Sequence, residues 1–187
     1  MAIEDAAAVC RLIASSALHR SALDIVRGLA LPDWWIGAGF VRSAVWDRLH
    51  GFTTPTPLAD IDVIWFDADR ADPSLDDALT ARLKAIRPDL PWSVKNQARM
   101  HERNGDPPYR SSSDAVWHWP ETATALAISA GTDGALRLLA PFGVDDLLAM
   151  IVQPTPHFRE HRPAAYRERL RRKQWRKRWP NLTVLEA

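Results

Sequence analysis

The chain has 187 residues, of which 47% are hydrophobic and 25% are charged, and its formal net charge is +1. This length and balance are typical of one globular domain, and they exclude a disordered or fibrous chain. Cys10 is the single cysteine, which excludes an internal disulfide, and no segment resembles a secretion signal or a membrane span, so we expect a cytoplasmic protein.

The first 51 residues predict helices around one short strand. From Glu4 to Leu29 the apolar residues recur at helical spacing, which predicts two short helices or one kinked helix, with Ser21 as a cap for the second half. The segment "WWIGAG", from Trp34, predicts a short buried strand that runs into a glycine turn. A helix over Phe40 to His50 follows, and Gly51 ends it.

Strands and helices alternate through the rest of the chain. After a loop, "DIDVIWF" predicts a strand, "DPSLDDALTARLKAI" a capped helix and "PWSVKNQA" a third strand. Residues 112–119 predict a helix, and the Gly-Thr-Asp-Gly turn in "TATALAISAGTDGALRLLAPFG" predicts a β-hairpin. "VDDLLAMIV" predicts a short helix, residues 154–163 a loop, and Tyr166 to Trp179 a basic helix.

This order of elements predicts an α+β fold, a small mixed β sheet with helices packed on it and a helical C-terminal extension. We expect a single domain over residues 1–187. Its parts are N-terminal helices (1–31), a core of sheet and helices (32–153), and a loop with a basic C-terminal helix (154–187).

Two carboxylates begin the second predicted strand. Because side chains alternate along a strand, Asp60 and Asp62 share one face, with Cα atoms ~6.5–7 Å apart, while Ile61 and Val63 point to the core. Two like charges repel each other, and Mg²⁺, which is held in proteins by one or two carboxylates with waters and phosphates, relieves the repulsion. The alternative is a solvated strand end without a ligand.

The glycine turn before that strand predicts a phosphate site. At Gly37, Ala38 and Gly39 a strand ends and a helix begins, so free backbone N–H groups and the positive end of the helix face one region. Arg42, one turn into the helix, adds a second phosphate contact or else pairs with Asp47. The glycines could also serve only the tight turn.

A phosphate site beside an Asp-x-Asp pair is typical of phosphoryl and nucleotidyl transfer, in which metal ions hold the triphosphate. The segments "GAGFVRSAVWDRLHG" and "PLADIDVIWFD" resemble the nucleotidyltransferase superfamily that includes DNA polymerase beta. Together with "VKNQARMH", "PETATALAI", "APFGVDDLLAMIVQP" and "KQWRKRWPNL", residues 34–182 resemble a family of small bacterial nucleotidyltransferase-like proteins. The resemblance implies that Asp60 and Asp62 bind the metal, and that the Gly37–Gly39 turn and Arg42 face the triphosphate.

The resemblance departs from the family pattern at the third carboxylate. Active members usually carry one on a following strand, where this chain offers Asn96. An amide oxygen can bind a metal but cannot act as a base. Substitutes are Asp67, Asp114 and Glu121, although Asp67 lies an odd number of positions from Asp62 and should face away.

These observations predict a Mg²⁺-dependent enzyme that moves a nucleoside monophosphate from an NTP to an acceptor. The acceptor could be a protein hydroxyl, a small molecule or RNA. A catalytically degenerate nucleotide-binding or interaction module is one alternative. An RNA-binding protein that uses Arg167–Arg178 is another, although a basic terminal helix is also often a plain solvated face.

Overall fold

A computed structural model describes residues 3–186 and begins with two helices, α1 (Ala6–Ser15) and α2 (Ala17–Arg27). The Asp5 carboxylate accepts a hydrogen bond from the Ala8 N–H and caps α1. The Ser16 hydroxyl accepts from the His19 N–H and caps α2, so the chain breaks at Ser16 and the cap predicted at Ser21 was wrong.

The remaining elements follow the predicted alternation closely. In chain order they are β1 (Trp35–Gly37), α3 (Gly39–Leu49), β2 (Ile61–Trp65), α4 (Pro73–Ile86), β3 (Trp92–Asn96), α5 (Met100–Asn104), α6 (Ser112–Trp117), β4 (Ala127–Ala130), β5 (Leu136–Leu139), α7 (Asp145–Leu148), β6 (Ile151–Val152), α8 (Pro156–His161), α9 (Pro163–Lys173) and β7 (Thr183–Val184). Among the described residues, no helix is both long and apolar enough to cross a membrane.

Five strands form one mixed sheet in the order β3-β2-β1-β4-β5. Strand β1 pairs antiparallel with both β2 and β4, β2 pairs parallel with β3, and the hairpin strands β4 and β5 pair antiparallel. The predicted fold class and hairpin are therefore confirmed. A second, two-stranded parallel sheet joins β6 and β7.

The sheet buries different residues on its two faces. Ile61, Val63 and Trp65 of β2 point into the main core, which helices α1 to α4 cover. Ile64 points to the other face, where it packs in a smaller cluster with Trp119. Asp62 shares this second face with Ile64, because the two are separated by two positions on one strand.

The C-terminal part departs from the prediction in three places. Residues predicted as a loop contain α8, and the end of the predicted helix "VDDLLAMIV" is strand β6. The basic helix ends at Lys173, where Gln174 takes a left-handed conformation with φ +46° and a short 3₁₀ turn follows. Beyond this break Trp175 and Trp179 are buried in the main core, so the segment is not one solvated helix.

Candidate active site

The acidic pair and the glycine turn meet at one end of the sheet. Because β1 and β2 are antiparallel, with Ile36 paired with Val63, the end of β1 lies beside the start of β2, and Gly37 lies opposite Asp62. A Cβ built on Gly39 would lie 3.8 Å from Asp60 Oδ1. The first turn of α3 therefore reaches the carboxylates.

The two carboxylates differ in their surroundings. Asp60 is exposed, whereas Asp62 is partly buried. Burial raises the pKa of Asp62, the negative charge of Asp60 raises it further, and a hydrogen bond with Ser93 together with the charges of Lys173 and Arg169 opposes the rise. The ionised pair is thus unfavourable by itself, and a cation between the two carboxylates would relieve it.

The three residues of the turn have different tasks. A Cβ at Gly37 would lie 2.5 Å from Cη2 of Trp119, so glycine is needed there for the packing of Trp119. Ala38 has φ +36° and donates its N–H to the Leu126 carbonyl at 2.8 Å. Among the described residues no side chain caps α3, and the N–H groups of Val41 and Arg42 donate to the Ala38 carbonyl, so those of Gly39 and Phe40 are left for an anion.

An aromatic cage holds the Arg42 guanidinium. Its central carbon lies 5.3 Å from the ring centre of Trp46, 5.2 Å from that of Trp175 and 5.6 Å from that of Trp179. Asp47, the alternative partner of Arg42, instead accepts a hydrogen bond from Trp179 Nε1 at 2.8 Å. The cage therefore fixes Arg42 beside the start of α3.

Arg42 remains a cation although it is partly buried. Burial lowers its pKa to about 10, while the nearby carboxylates of Glu121, Asp60 and Asp62 favour the charged form. Its Nε is buried, and no described residue accepts a hydrogen bond from it. A Cβ built on Gly39 would lie 3.5 Å from Arg42 Nη2, so the guanidinium borders the same space as Asp60.

The C-terminal segment closes this space into a cleft of about 440 Å³. Gly39, Arg42 and Asp60 line it. Its lining also includes four cationic residues of the C-terminal segment, here called the basic wall: Arg172, Lys173, Lys177 and Arg178. The sequence marked this segment by its charge, but no sequence signal placed it against the acidic pair.

A buried ion pair holds α9, the helix that carries Arg172 and Lys173 of the basic wall. Arg169 Nε donates to Glu121 Oε1 at 2.5 Å, and Thr124 Oγ1 donates to Glu121 Oε2 at 2.5 Å. The Glu121 side chain is fully buried. Both of its oxygens are therefore engaged, and Glu121 holds Arg169 in place rather than standing free as a proton acceptor near Asp62.

The structure does not bring Asn96 to the acidic pair. Parallel pairing aligns Asp62 with Ser93 and Trp65 with Asn96. Asn96 is therefore three residues, or about 10 Å, further along the strand and on the opposite face. Its amide donates to the carbonyls of Asp67 and Arg70 and is fully buried. Ser93, which the sequence analysis missed, occupies the position beside Asp62.

The other proposed substitutes for the third acid are also engaged elsewhere. Asp67 pairs with Arg70 at 2.7 Å, and Asp114 accepts from the Arg110 N–H at 2.9 Å. Within residues 3–186, no three side chains of His, Cys, Asp or Glu are arranged to hold a metal ion. A metal at the pair would complete its shell with water and substrate oxygens, as Mg²⁺ commonly does.

A family profile described as "Nucleotidyltransferase" matches residues 24–184. The chain belongs to this nucleotidyltransferase family. No curated protein matches the sequence. The match covers the acidic pair, the glycine turn and the basic wall.

Solved structures show the same fold. One is described by the words "The NMR structure of the protein reveals a CCA-adding enzyme head domain"; it is 33% identical, with a TM-score of 0.85, and the match covers 96% of this chain and 95% of that one. A Thermotoga maritima CCA-adding enzyme complexed with tRNA is 17% identical, with a TM-score of 0.57 and coverage of 100% and 44%. A CCA-adding enzyme with CTP is 16% identical, with a TM-score of 0.58 and the same coverage. This chain thus spans less than half the length of these two enzymes.

Proposed function

We propose that this protein is a Mg²⁺-dependent nucleotidyltransferase that moves a nucleoside monophosphate from an NTP to a hydroxyl acceptor. The observation that carries the proposal is the cleft that Asp60, Gly39 at the uncapped start of α3 and the basic wall line together, with Asp62 next to Asp60 at the start of β2. Carboxylates that can hold a cation, beside cationic side chains that can bind phosphates, match a metal–triphosphate ligand.

The acidic pair fits Mg²⁺ by its donor chemistry. Asp60 and Asp62 offer hard carboxylate oxygens, and burial together with the charge of Asp60 raises the pKa of Asp62, so a divalent cation would favour its ionised form. Bound Mg²⁺ supplies charge neutralisation at the phosphates and at the attacking hydroxyl.

The remaining roles belong to the chain's own residues. The first N–H groups of α3 and the charge of Arg42 orient the phosphate that is attacked, and the basic wall binds the pyrophosphate that leaves. The acceptor oxygen forms a bond to the α-phosphorus, the bond from that phosphorus to the bridging oxygen breaks, and the hydroxyl proton passes to water. Fixing Arg42 in its tryptophan cage avoids reorganisation during this step.

RNA is a second candidate for the acceptor. One of the similar enzymes is complexed with tRNA and another with CTP. The basic wall could bind an RNA backbone as well as a triphosphate. A nucleotide-binding module without turnover is the other candidate, because the third carboxylate is absent from the described site.

Calorimetric titration tests nucleotide binding. ATP, GTP, CTP and UTP are titrated into the wild-type protein and the Asp60→Asn/Asp62→Asn variant, each with and without Mg²⁺. Asp77→Asn, an exposed acid on α4, is the matched control. We expect Mg²⁺-dependent binding of at least one NTP to the wild type and the control, and its loss in the double variant. Binding that is equal in all three proteins would refute the assignment of the pair.

Turnover is measured separately by pyrophosphate release. The assay is run with the NTP alone, with tRNA that lacks its 3′ CCA, and with a mixture of small alcohols. Release that requires one acceptor class identifies that class. Binding of an NTP without release for any class would favour the module over the enzyme.

A further inference from the structure

A second cavity of about 510 Å³ adjoins the cleft. It lies between the α1–α2 junction, α3 and the loop before β2, and its walls are mainly hydrophobic. The apolar side chains that form them include Leu12, Leu18, Ala44, Phe52, Leu58 and Leu90. This volume is within the range of pockets that bind small molecules.

Two buried polar side chains in the cavity wall, His19 and Asp47, are already hydrogen-bonded. Nδ1 of His19 lies 2.8 Å from Ser16 Oγ, and Nε2 lies 3.0 Å from the Phe40 carbonyl oxygen. The Asp47 carboxylate accepts from the backbone N–H of Thr56 at 2.6 Å and from its hydroxyl at 2.7 Å. A ligand in this cavity would therefore be held chiefly by apolar contact.

Two side chains of the cavity leave apolar surface in water. Leu18 and Phe52 are each 40% exposed, although both are large hydrophobic residues. Their exposure coincides with a concave apolar site, which is a pattern typical of a ligand-binding surface. A nucleobase is a poor occupant, because its polar edges would lie against a mainly apolar wall in which His19 and Asp47 are already hydrogen-bonded.

The cavity and the cleft share a wall. Ser43, Thr56, Pro57 and Leu58 line both of them, and the cleft contains Asp60. A molecule that fills the cavity could therefore extend one end past this wall towards the carboxylates. Leu58 lines both spaces and Asp60 follows it by two residues, so this route brings the end of the molecule into the cleft near Asp60.

We propose that the cavity binds the apolar body of the acceptor, a small aromatic or aliphatic alcohol whose hydroxyl reaches the acidic pair. This inference rests on the proposed nucleotidyl transfer and names its acceptor class. The alcohol oxygen bonds to the α-phosphorus, pyrophosphate leaves with the electrons of the broken P–O bond, and the alcohol proton passes to water.

The test uses 2-(2-naphthyl)ethanol as the probe, with 2-ethylnaphthalene as its analogue without a hydroxyl. Binding is measured by saturation-transfer NMR. Ala44→Leu fills the cavity and Phe52→Ser makes its exposed mouth polar, whereas Ala78→Leu on the exposed surface of α4 is the matched control. We expect both probes to bind the wild type and Ala78→Leu, and each cavity variant to weaken binding by about tenfold.

Two further measurements separate this inference from the proposed function. Mg²⁺–NTP binding should survive in both cavity variants and be lost in Asp60→Asn/Asp62→Asn, which should still bind the probe. Pyrophosphate release from the wild type should rise with the alcohol and not with 2-ethylnaphthalene.

Distinct outcomes overturn distinct claims. Absence of probe binding, or binding that Ala44→Leu and Phe52→Ser leave unchanged, would overturn the cavity as an acceptor site while NTP binding stands. Stimulation by RNA that both cavity variants retain would assign the acceptor to RNA and also overturn it. Absence of Mg²⁺–NTP binding in the wild type would overturn the nucleotidyl transfer itself, even if the probe binds.

Discussion

Replacing Glu121 with Gln tests whether the buried ion pair positions the basic side of the cleft. The Glu121 side chain is fully buried and that of Arg169 is 22% exposed, with 2.5 Å between Oε1 and Nε. Glutamine keeps the shape and can still accept from Thr124, but it removes the negative charge opposite Arg169. The variant therefore isolates the charge from the packing.

The expected loss of stability follows from these contacts. Removing one partner of a fully buried pair costs about 3–5 kcal/mol. Arg169 is partly exposed and keeps its contact with the Trp175 ring at 5.7 Å, so we expect about 2–3 kcal/mol. For a chain of this length the melting temperature should fall by about 4–12 °C. Calorimetry or thermal circular dichroism measures this change.

The same variant should weaken nucleotide binding. Glu121 is the strongest charge favouring the cationic form of Arg42, and Arg169 acts on both Asp62 and Lys173. Without its anchor Arg169 shifts relative to the cleft, and we expect the Mg²⁺–NTP dissociation constant to rise by about threefold to tenfold.

Glu168→Gln is the matched control, because Glu168 is exposed on α9, the helix that also carries Arg169. This variant should change the free energy of unfolding by at most about 0.5 kcal/mol. A melting temperature within about 1 °C of the wild type for Glu121→Gln would refute the positioning role.

Three further substitutions test the turn and the acidic pair. Gly37→Ala should destabilise the protein by about 1–3 kcal/mol in urea unfolding, because its Cβ would lie 2.5 Å from Trp119; unchanged stability would contradict that packing. Gly39→Ala should change the free energy of unfolding by at most about 0.5 kcal/mol, because its Cβ makes only ordinary contacts. The added methyl group should nevertheless narrow the space beside Asp60 and weaken Mg²⁺–NTP binding in calorimetry. Unchanged Mg²⁺–NTP binding would exclude that space as the phosphate site. Asp62→Asn should stabilise the metal-free protein at pH 7 by about 0.5–2 kcal/mol. The reason is that the pKa of Asp62 in the folded protein lies above its ordinary 3.8, so the folded state binds the proton more tightly than the unfolded state does. The free energy of unfolding therefore falls as the pH rises from 3.8 through the raised pKa. The gain should shrink towards pH 4 in thermal melts, and a gain independent of pH would contradict the electrostatic cause.

Local patterns predicted much of the fold and part of the candidate site. The glycine turn, the hairpin and the helices up to α4 were predicted because caps and periodicity act within a few residues. The cap at Ser21 was wrong because Ser16, five residues earlier, could cap as well, and sequence spacing does not choose between them.

The predicted placement of Asn96 at the third-acid position was wrong for a different reason. The strand "PWSVKNQA" predicted Asn96 as the residue beside the pair, but the parallel register aligns Asp62 with Ser93. Register depends on which strands pair and in which direction, and "PWSVKNQA" carries no signal for either.

Local patterns were enough to define the strand that carries Asp60 and Asp62 and the helix that starts at the glycine turn. Alternation along a strand and the spacing of helix-ending residues are local properties, and they hold wherever the strand lies. Packing between distant segments, in contrast, places Arg42 in a tryptophan cage and brings the basic wall into one cleft with Asp60. Burial of Trp175 and Trp179 against a helix more than a hundred residues earlier folds the basic segment back over the cleft, and such long-range packing leaves no periodic mark in the sequence.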